Sequence, residues 1–341
     1  MSGWMQAPAS EGEQAMMRRI LGWIVAWTAL AFSGSVLGEN YPSRPVTLIV
    51  PYAAGGGVDA VARVIAESLS ERLGQRFFIE NVTGAGGVIG TQRAARAQPD
   101  GYTLLFAVEN TMAVAKLVQP TVVQYDSQKD FQPISLIGTA PLVLAGKKDL
   151  PAGNIAELMT LLKANPGKYS FASSGVGTSL HVLGEMINVE GKVEMVHVPY
   201  RAAPQIVTDL ISNQIDLAIL PLNLALPSYR NGSVKIFGAS ERTRSPLAPD
   251  LPSLAEHPDL KGVNMTVWYG LFAPANIDSA IVARISETLA TVLRDASMRA
   301  KLADVHMINA VGSTPAELAA FLGQEIETYS AIVKAANIKA E

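Results

Sequence analysis

The chain has 341 residues, 49% of them hydrophobic and 17% charged, enough to bury a large core and to form two domains. A net charge of −3, with no run of Lys or Arg, excludes the basic field that holds nucleic acid. The absence of cysteine excludes disulfides, thiolate metal sites, cysteine nucleophiles and a lipid-modified cysteine anchor.

At the N-terminus, Arg18-Arg19, an apolar run from Ile20 to Phe32 and the small-residue stretch Ser33 to Gly38 make the three parts of an export signal. The run is short of the roughly 20 apolar residues of a membrane span. The expectation is an N-terminal extension and signal peptide over 1–38, cleavage after Gly38 and a soluble mature chain in the periplasm. Residues 1–15 fit poorly as a signal start, which points to initiation at Met16 or Met17. An uncleaved anchor is the other reading of the run.

In the mature chain, strand Val46 to Val50 enters Pro51-Tyr52-Ala53-Ala54-Gly55-Gly56-Gly57-Val58-Asp59 and then a helix from about Val58 to Leu73. Val61, Ile65, Leu69 and Leu73 recur at helical spacing, and Gly74 closes the helix. Strand Phe77 to Glu80 follows, Gly84 to Gly90 opens a second helix through Ala97, and the turn Pro99-Asp100-Gly101 precedes strand Tyr102 to Val108. This β-α-β-α-β order predicts a parallel sheet covered by helices on both faces.

The segment Pro133 to Gly146 reads as a strand leaving the first domain. The pattern then restarts: helix Ile155 to Asn165, strand Tyr169 to Ala172, the loop Ser173-Ser174-Gly175-Val176-Gly177-Thr178, and a helix from about Ser179 to Val189. Strand Val193 to Val198, helix Ala203 to Ser212, and strands Ile215 to Leu220 and Val234 to Ala239 continue it. Val267 to Pro274 reads as the return strand, and helices Ser279 to Asp295, Met298 to Asp304 and Pro315 to Ala336 finish the chain. Two crossings between two α/β halves imply a cleft.

The loops Gly55-Gly56-Gly57 and Ser173 to Thr178 are candidate anion cradles, because a helix start offers unpaired N–H groups and the positive end of the dipole, whereas the glycines of Gly84 to Gly90 read first as tight turns, which is also the other reading of Gly55 to Gly57. No Gly-Lys-Ser/Thr follows Gly55-Gly56-Gly57, and Ile89 stands where a dinucleotide fingerprint needs its third glycine, so neither loop carries a nucleotide signature. The histidines His181, His197, His257 and His306 have no metal-ligand spacing. Ser174 lacks the Gly-x-Ser-x-Gly elbow, although His181 and Asp216 could complete a triad around it. Hydroxyls of Ser174 and Thr178 with helix-start amides could instead donate to one carboxylate, or serve as helix caps alone.

Several separated motifs now stand in order: Pro51 to Arg63, Glu80-Asn81 before Gly84-Ala85-Gly86-Gly87, Pro99-Asp100-Gly101-Tyr102-Thr103, Asn165-Pro166-Gly167, Gly175-Val176-Gly177-Thr178 with His181, His197-Val198-Pro199-Tyr200-Arg201 and Trp268 to Pro274. Together they resemble the substrate-binding proteins of tripartite tricarboxylate transporters, the Bug family, over nearly the whole mature chain. The resemblance implies an α/β type II periplasmic binding protein fold: two doubly wound lobes joined by two crossing strands with a ligand cleft between them. It assigns 40–142 plus 272–341 to the first lobe and 143–271 to the second.

The resemblance also implies no catalytic residues, no cofactor and no metal. The ligand is a small organic carboxylate, whether a di- or tricarboxylate, an amino acid or an aromatic acid. Its recipients are the membrane permease subunits of such a transporter, and the binding protein is a monomer that does not bind nucleic acid. Tyr52, Ala54, Gly56, Gly57 and Asp59 would line the first lobe, with Asp59 ordering the loop, and Asn110 and Thr111 would lie near the ligand. Ala172, Ser174, Gly177, Thr178 and His181 would line the second lobe. Arg201 has two readings, a direct carboxylate ligand or a brace. Tyr52 and Trp268 are candidates for an apolar cleft wall.

Glu109, Ala202 and Val82-Thr83 depart from the family pattern. A carboxylate at Glu109 facing an anion would be repelled, so it is expected to point away unless the ligand brings a donor. Two other classes remain at this stage: an exported α/β hydrolase using Ser174 and His181, and a periplasmic sensor presenting bound ligand to a signalling partner.

Overall fold

The computed structural model describes residues 41–200 and 203–338. The expectations for 1–38, including the export signal and its cleavage, and for Arg201 and Ala202 lie outside these residues. Residues 42–341 form one compact unit. Among the described residues no helix is long and apolar enough to cross a membrane.

The first lobe starts from parallel strands β1 (Val46–Val50), β2 (Phe77–Asn81) and β3 (Thr103–Val108), with β1 between the other two. Helix α1 (Gly57–Leu73) lies between β1 and β2 in the chain. It buries Val61, Ile65, Leu69 and Leu73, the stripe expected from their spacing, and ends on a left-handed Gly74. Helix α2 (Val88–Ala95) links β2 to β3. Beyond β3 a π-helical turn at Asn110–Val114 runs into the short α3 (Ala115–Val118).

The long strand β4 (Phe131–Lys147) carries the chain from one lobe to the other. Over Phe131 to Pro141 it pairs antiparallel with β9 (Thr266–Pro274), and from Leu142 onward it pairs with β7 (Leu217–Pro221) and β8 (Val234–Ala239). In the second lobe, α4 (Ile155–Ala164) leads to β5 (Ser170–Ser173), α5 (Ser179–Gly191) to β6 (Val196–Pro199), α6 (Ala203–Ile211) to β7, and α7 (Leu222–Arg230) to β8. Strands β6, β5 and β7 are parallel, repeating the device of the first lobe.

The sheet order is therefore β2-β1-β3-β9-β4-β7-β5-β6. The mixed α/β architecture is the expected type II periplasmic binding fold. Among the described residues, β9 pairs with β3 and with the Phe131 to Pro141 part of β4. The Met265 N–H bonds to Ser240 O, beside the Pro141/Leu142 crossing of β4.

After β9, helices α8 (Ser279–Arg294), α9 (Ala296–His306) and α10 (Pro315–Ala335) cover the first lobe, with the two-residue strand β10 (Asn309–Ala310) pairing β4. Helix α10 begins with a capping box, Thr314 to Glu317, and packs against both β4 and α5. It therefore touches both lobes.

Candidate functional site

In each lobe the loops that matter leave the carboxyl ends of parallel strands, where open α/β sheets place their ligands. The first lobe offers three: Pro51 to Gly56 after β1, Gly84 to Gly87 after β2, and Glu109-Asn110 after β3. The second offers Ser174 to Thr178 after β5.

Ala53 to Gly57 are all exposed, and the helix that follows starts without a capping side chain. Only Gly55 of the three glycines takes a positive φ, at +79°. Asp59 ties this loop from beneath: it is 1% exposed, and its carboxylate accepts from Gly55 N–H at 2.8 Å, Arg63 Nε at 2.8 Å and Asn81 Nδ2 at 2.9 Å. Burial pushes the Asp59 carboxyl up, but these hydrogen bonds outweigh it and hold the group below the usual carboxylate range. With its oxygens engaged, Asp59 orders the loop and leaves the N–H groups at the start of α1 facing outward.

Tyr52 and Asn110 converge on the second loop, where Tyr52 Oη and Asn110 Nδ2 both donate to Gly86 O, at 3.3 and 3.1 Å. Burial, followed by the charge of Glu109, pushes the Tyr52 phenol up, so it is a neutral donor. Thr111 is buried, and its hydroxyl donates back to Val108 O at 3.2 Å, which leaves its methyl facing Gly87.

In the second lobe Thr178 caps α5: its Oγ1 accepts from His181 N–H and donates to Gly175 O. His181 Nδ1 accepts from Gly177 N–H at 3.0 Å, which fixes the proton on Nε2, toward Glu185 at 3.7 Å. The imidazole of His197 stacks on it with ring centres 3.7 Å apart and an angle of 11°, and the His197 ring is also 2.7 Å from Ser173 Oγ. Burial lowers His181 to about 4, and burial with the His181 neighbour lowers His197 to about 4, so the stack is neutral near pH 7. Ser174, half-buried, is the hydroxyl of this loop with no hydrogen bond among the described residues.

The lobes meet beside these loops. Ser179 Oγ, at the start of α5, donates to Glu109 Oε1 at 2.8 Å, and the bare Cα of Gly177 approaches Val118 of α3. Glu109 is 3% exposed and also accepts from Trp268 N–H at 3.3 Å.

Of the residues singled out in the sequence, Tyr52, Ala54, Gly56, Gly57 and Asn110 gather on the first-lobe loops, and Ser174 and Gly177 sit on the facing loop. Asp59, Thr111, Thr178 and His181 spend polar atoms on neighbouring groups of their own lobe. Ala172 is fully buried in the core of the second lobe with Val143, Leu220 and Ile206, because β5 lies between β6 and β7 with both of its faces covered: Phe171 and Ala172 belong to different core clusters. Trp268 is likewise core and no cleft wall: it is fully buried, packs on Phe272 and Phe321, and donates Nε1–H to Glu325 at 3.0 Å. Ser179, Gly86, Ser173 and His197 were missed, and only Ser179, a hydroxyl one residue past a cap, had a local signal.

Two α/β lobes sharing crossing strands, with glycine loops at the carboxyl ends of their parallel strands, define a periplasmic binding protein. Residues 61–338 match the family described as the tripartite tricarboxylate transporter family receptor. The chain belongs to that family. A UPF0065 protein encoded between tcbD and tcbE in Pseudomonas sp. strain P51 is 32% identical over 317 residues, covering 93% of each chain. The solved structure of R. palustris Rpa4515 with adipate is 30% identical, with a TM-score of 0.77 over 88% of this chain and 99% of that one. MatC of Rhodopseudomonas palustris, with bound malate, is 30% identical, with a TM-score of 0.72 over 86% of this chain and all of that one (100%).

Proposed function

We propose that this chain is a periplasmic receptor that closes its two lobes over a small organic carboxylate and delivers it to the permease subunits of a tripartite tricarboxylate-type transporter. The observation that carries the reading is the pairing of two uncommitted donor sets: the exposed start of α1 above the loop Ala53 to Gly57, and Ser174 on the facing loop. The second amide hydrogen of Asn110, whose first is on Gly86 O, completes the first set, while Tyr52 holds the neighbouring loop. A carboxylate between them would take hydrogen bonds from both lobes, and that differential contact favours the closed state. Dicarboxylates are the first class to test, since two relatives hold adipate and malate.

The ligand is carried rather than transformed. His181 supports this view: its Nδ1 is occupied by Gly177 N–H and its Nε2 is turned toward Glu185, so it is not placed as a base for Ser174. The test is calorimetric titration of the mature protein with malate, adipate, citrate, glutamate and benzoate. Saturable binding of at least one acid, weakened by Ser174→Ala and by Asn110→Ala, is expected. Failure of all five to bind, or ester turnover abolished by Ser174→Ala, would overturn the reading.

A further inference from the structure

Glu109 follows β3 in the first lobe, yet its carboxylate is closed in by the second. Its Oε1 accepts from Ser179 Oγ at 2.8 Å, and its Oε2 accepts from the Trp268 backbone N–H of β9 at 3.3 Å. A carboxylate offers about four acceptor positions, and both of these donors are neutral. The titratable groups that face it are Tyr52 from the loop after β1, Tyr269 from β9, and Glu325 and Tyr329 from α10. Among the described residues no Lys, Arg or His lies within ion-pair distance of Glu109.

A negative charge in this place has lost water and gained no cation, and it has a second carboxyl for a neighbour. Parting the lobes would withdraw Ser179 and let water reach Glu109. The ionised form is thus better accommodated when the lobes are apart, and the protonated form when they are together. We propose that Glu109 is a proton-binding site at the lobe junction, so that closure over an organic anion takes up one proton at this carboxyl. This rests on the closure described under the proposed function and adds a co-ligand to it. The proton also removes a like charge from beside the incoming anion.

Burial pushes Glu109 up to about 7; hydrogen bonds from Ser179 and the backbone oppose the shift, and Glu325 adds to it. A carboxyl raised in the closed state strengthens closure fully below the open-state value, and the benefit is lost as pH rises through about 7.

The experiment compares wild type with Glu109→Gln, using malate and adipate as probes at pH values from 5.5 to 8. Ionisation of the probe cancels in the ratio of the two affinities. That ratio is expected to fall by up to about tenfold per pH unit toward neutrality and to level off by pH 8. A ratio that stays constant overturns the proposal.

Thermal unfolding separates the proton site from the choice of acid. Without ligand the lobes are apart and Glu109 is hydrated, so the offset between wild type and Glu109→Gln should stay constant between pH 5.5 and 8; with a saturating acid it should titrate, the wild-type midpoint dropping relative to that of the variant as pH rises. A constant offset with an acid bound overturns the proton site, whereas a titrating offset given by citrate, glutamate or benzoate but by neither malate nor adipate leaves the site standing and refutes dicarboxylate binding instead. Should Glu109→Gln fail to fold, Ser179→Ala takes its place: loss of the donor to the ionised form must move the pH dependence upward, and an unmoved profile overturns the proposal.

Discussion

Gly177→Ala probes whether the lobes meet at the second-lobe loop when ligand is bound. Gly177 has φ +74°, and a Cβ there would lie 2.5 Å from Val118 Cγ1 and 3.1 Å from Val118 Cβ. The left-handed backbone costs an alanine roughly 1–2 kcal/mol, whether the lobes are open or closed, so it lowers stability without changing ligand affinity. The contact with Val118 crosses between lobes, so under the proposed closure it forms only when they shut. Overpacking of this kind costs about 1–3 kcal/mol, which corresponds to roughly a 5- to 150-fold loss of affinity. Val118→Ala removes the clashing methyls, so the double variant should bind within about threefold of wild type while still unfolding earlier. The measurements are calorimetric titration with malate or adipate and urea unfolding of all four proteins. Equal weakening in Gly177→Ala and the double variant, or none in either, would refute the inter-lobe contact.

Other consequences follow from individual groups. Asp59→Ala strands the part-buried amide of Asn81, while half-exposed Arg63 turns to water, and should lower stability by about 1–3 kcal/mol at pH 7 in urea unfolding. Because the Asp59 carboxyl is depressed, its contribution is present above the unfolded value and is lost as pH falls through the folded one, so the deficit should shrink near pH 3. His181, lowered to about 4, resists protonation in the native state; stability should fall as pH drops from about 6.5 toward 4, by up to about 3 kcal/mol, with a shallower slope in His181→Leu. Trp268→Phe keeps the packing on Phe272 and Phe321 but removes the donor to Glu325, which burial raises to about 7. The loss should be about 1–2 kcal/mol at pH 8 and smaller at pH 6, where Glu325 is protonated.

The parts of this protein that follow local rules were legible in its sequence. The stripe Val61, Ile65, Leu69 and Leu73, the Gly74 stop and the repeated strand-loop-helix units follow from periodicity and capping, and together they fix the fold class. The role of Asp59 as an organiser of the glycine loop came from the family resemblance, and its bond to Gly55 N–H agrees with it. What escaped was set by tertiary packing. Nothing near position 109 shows that its carboxylate meets a hydroxyl 70 residues later. Nor does spacing reveal that His181 and His197 stack, which turns an apparent ligand into a brace. Trp268 looked like a cleft wall because aromatic residues serve equally in cores and pockets, and strand pairing alone decides between them.

The most direct test of the central claim is a crystal structure of the mature protein with malate or adipate bound. The account predicts a carboxylate seated between the start of α1 with Asn110 on one side and Ser174 on the other, with Glu109 still on Ser179. A bound acid lying instead in the outer groove between β1 and α2, beside Arg93 and Arg96, would contradict it.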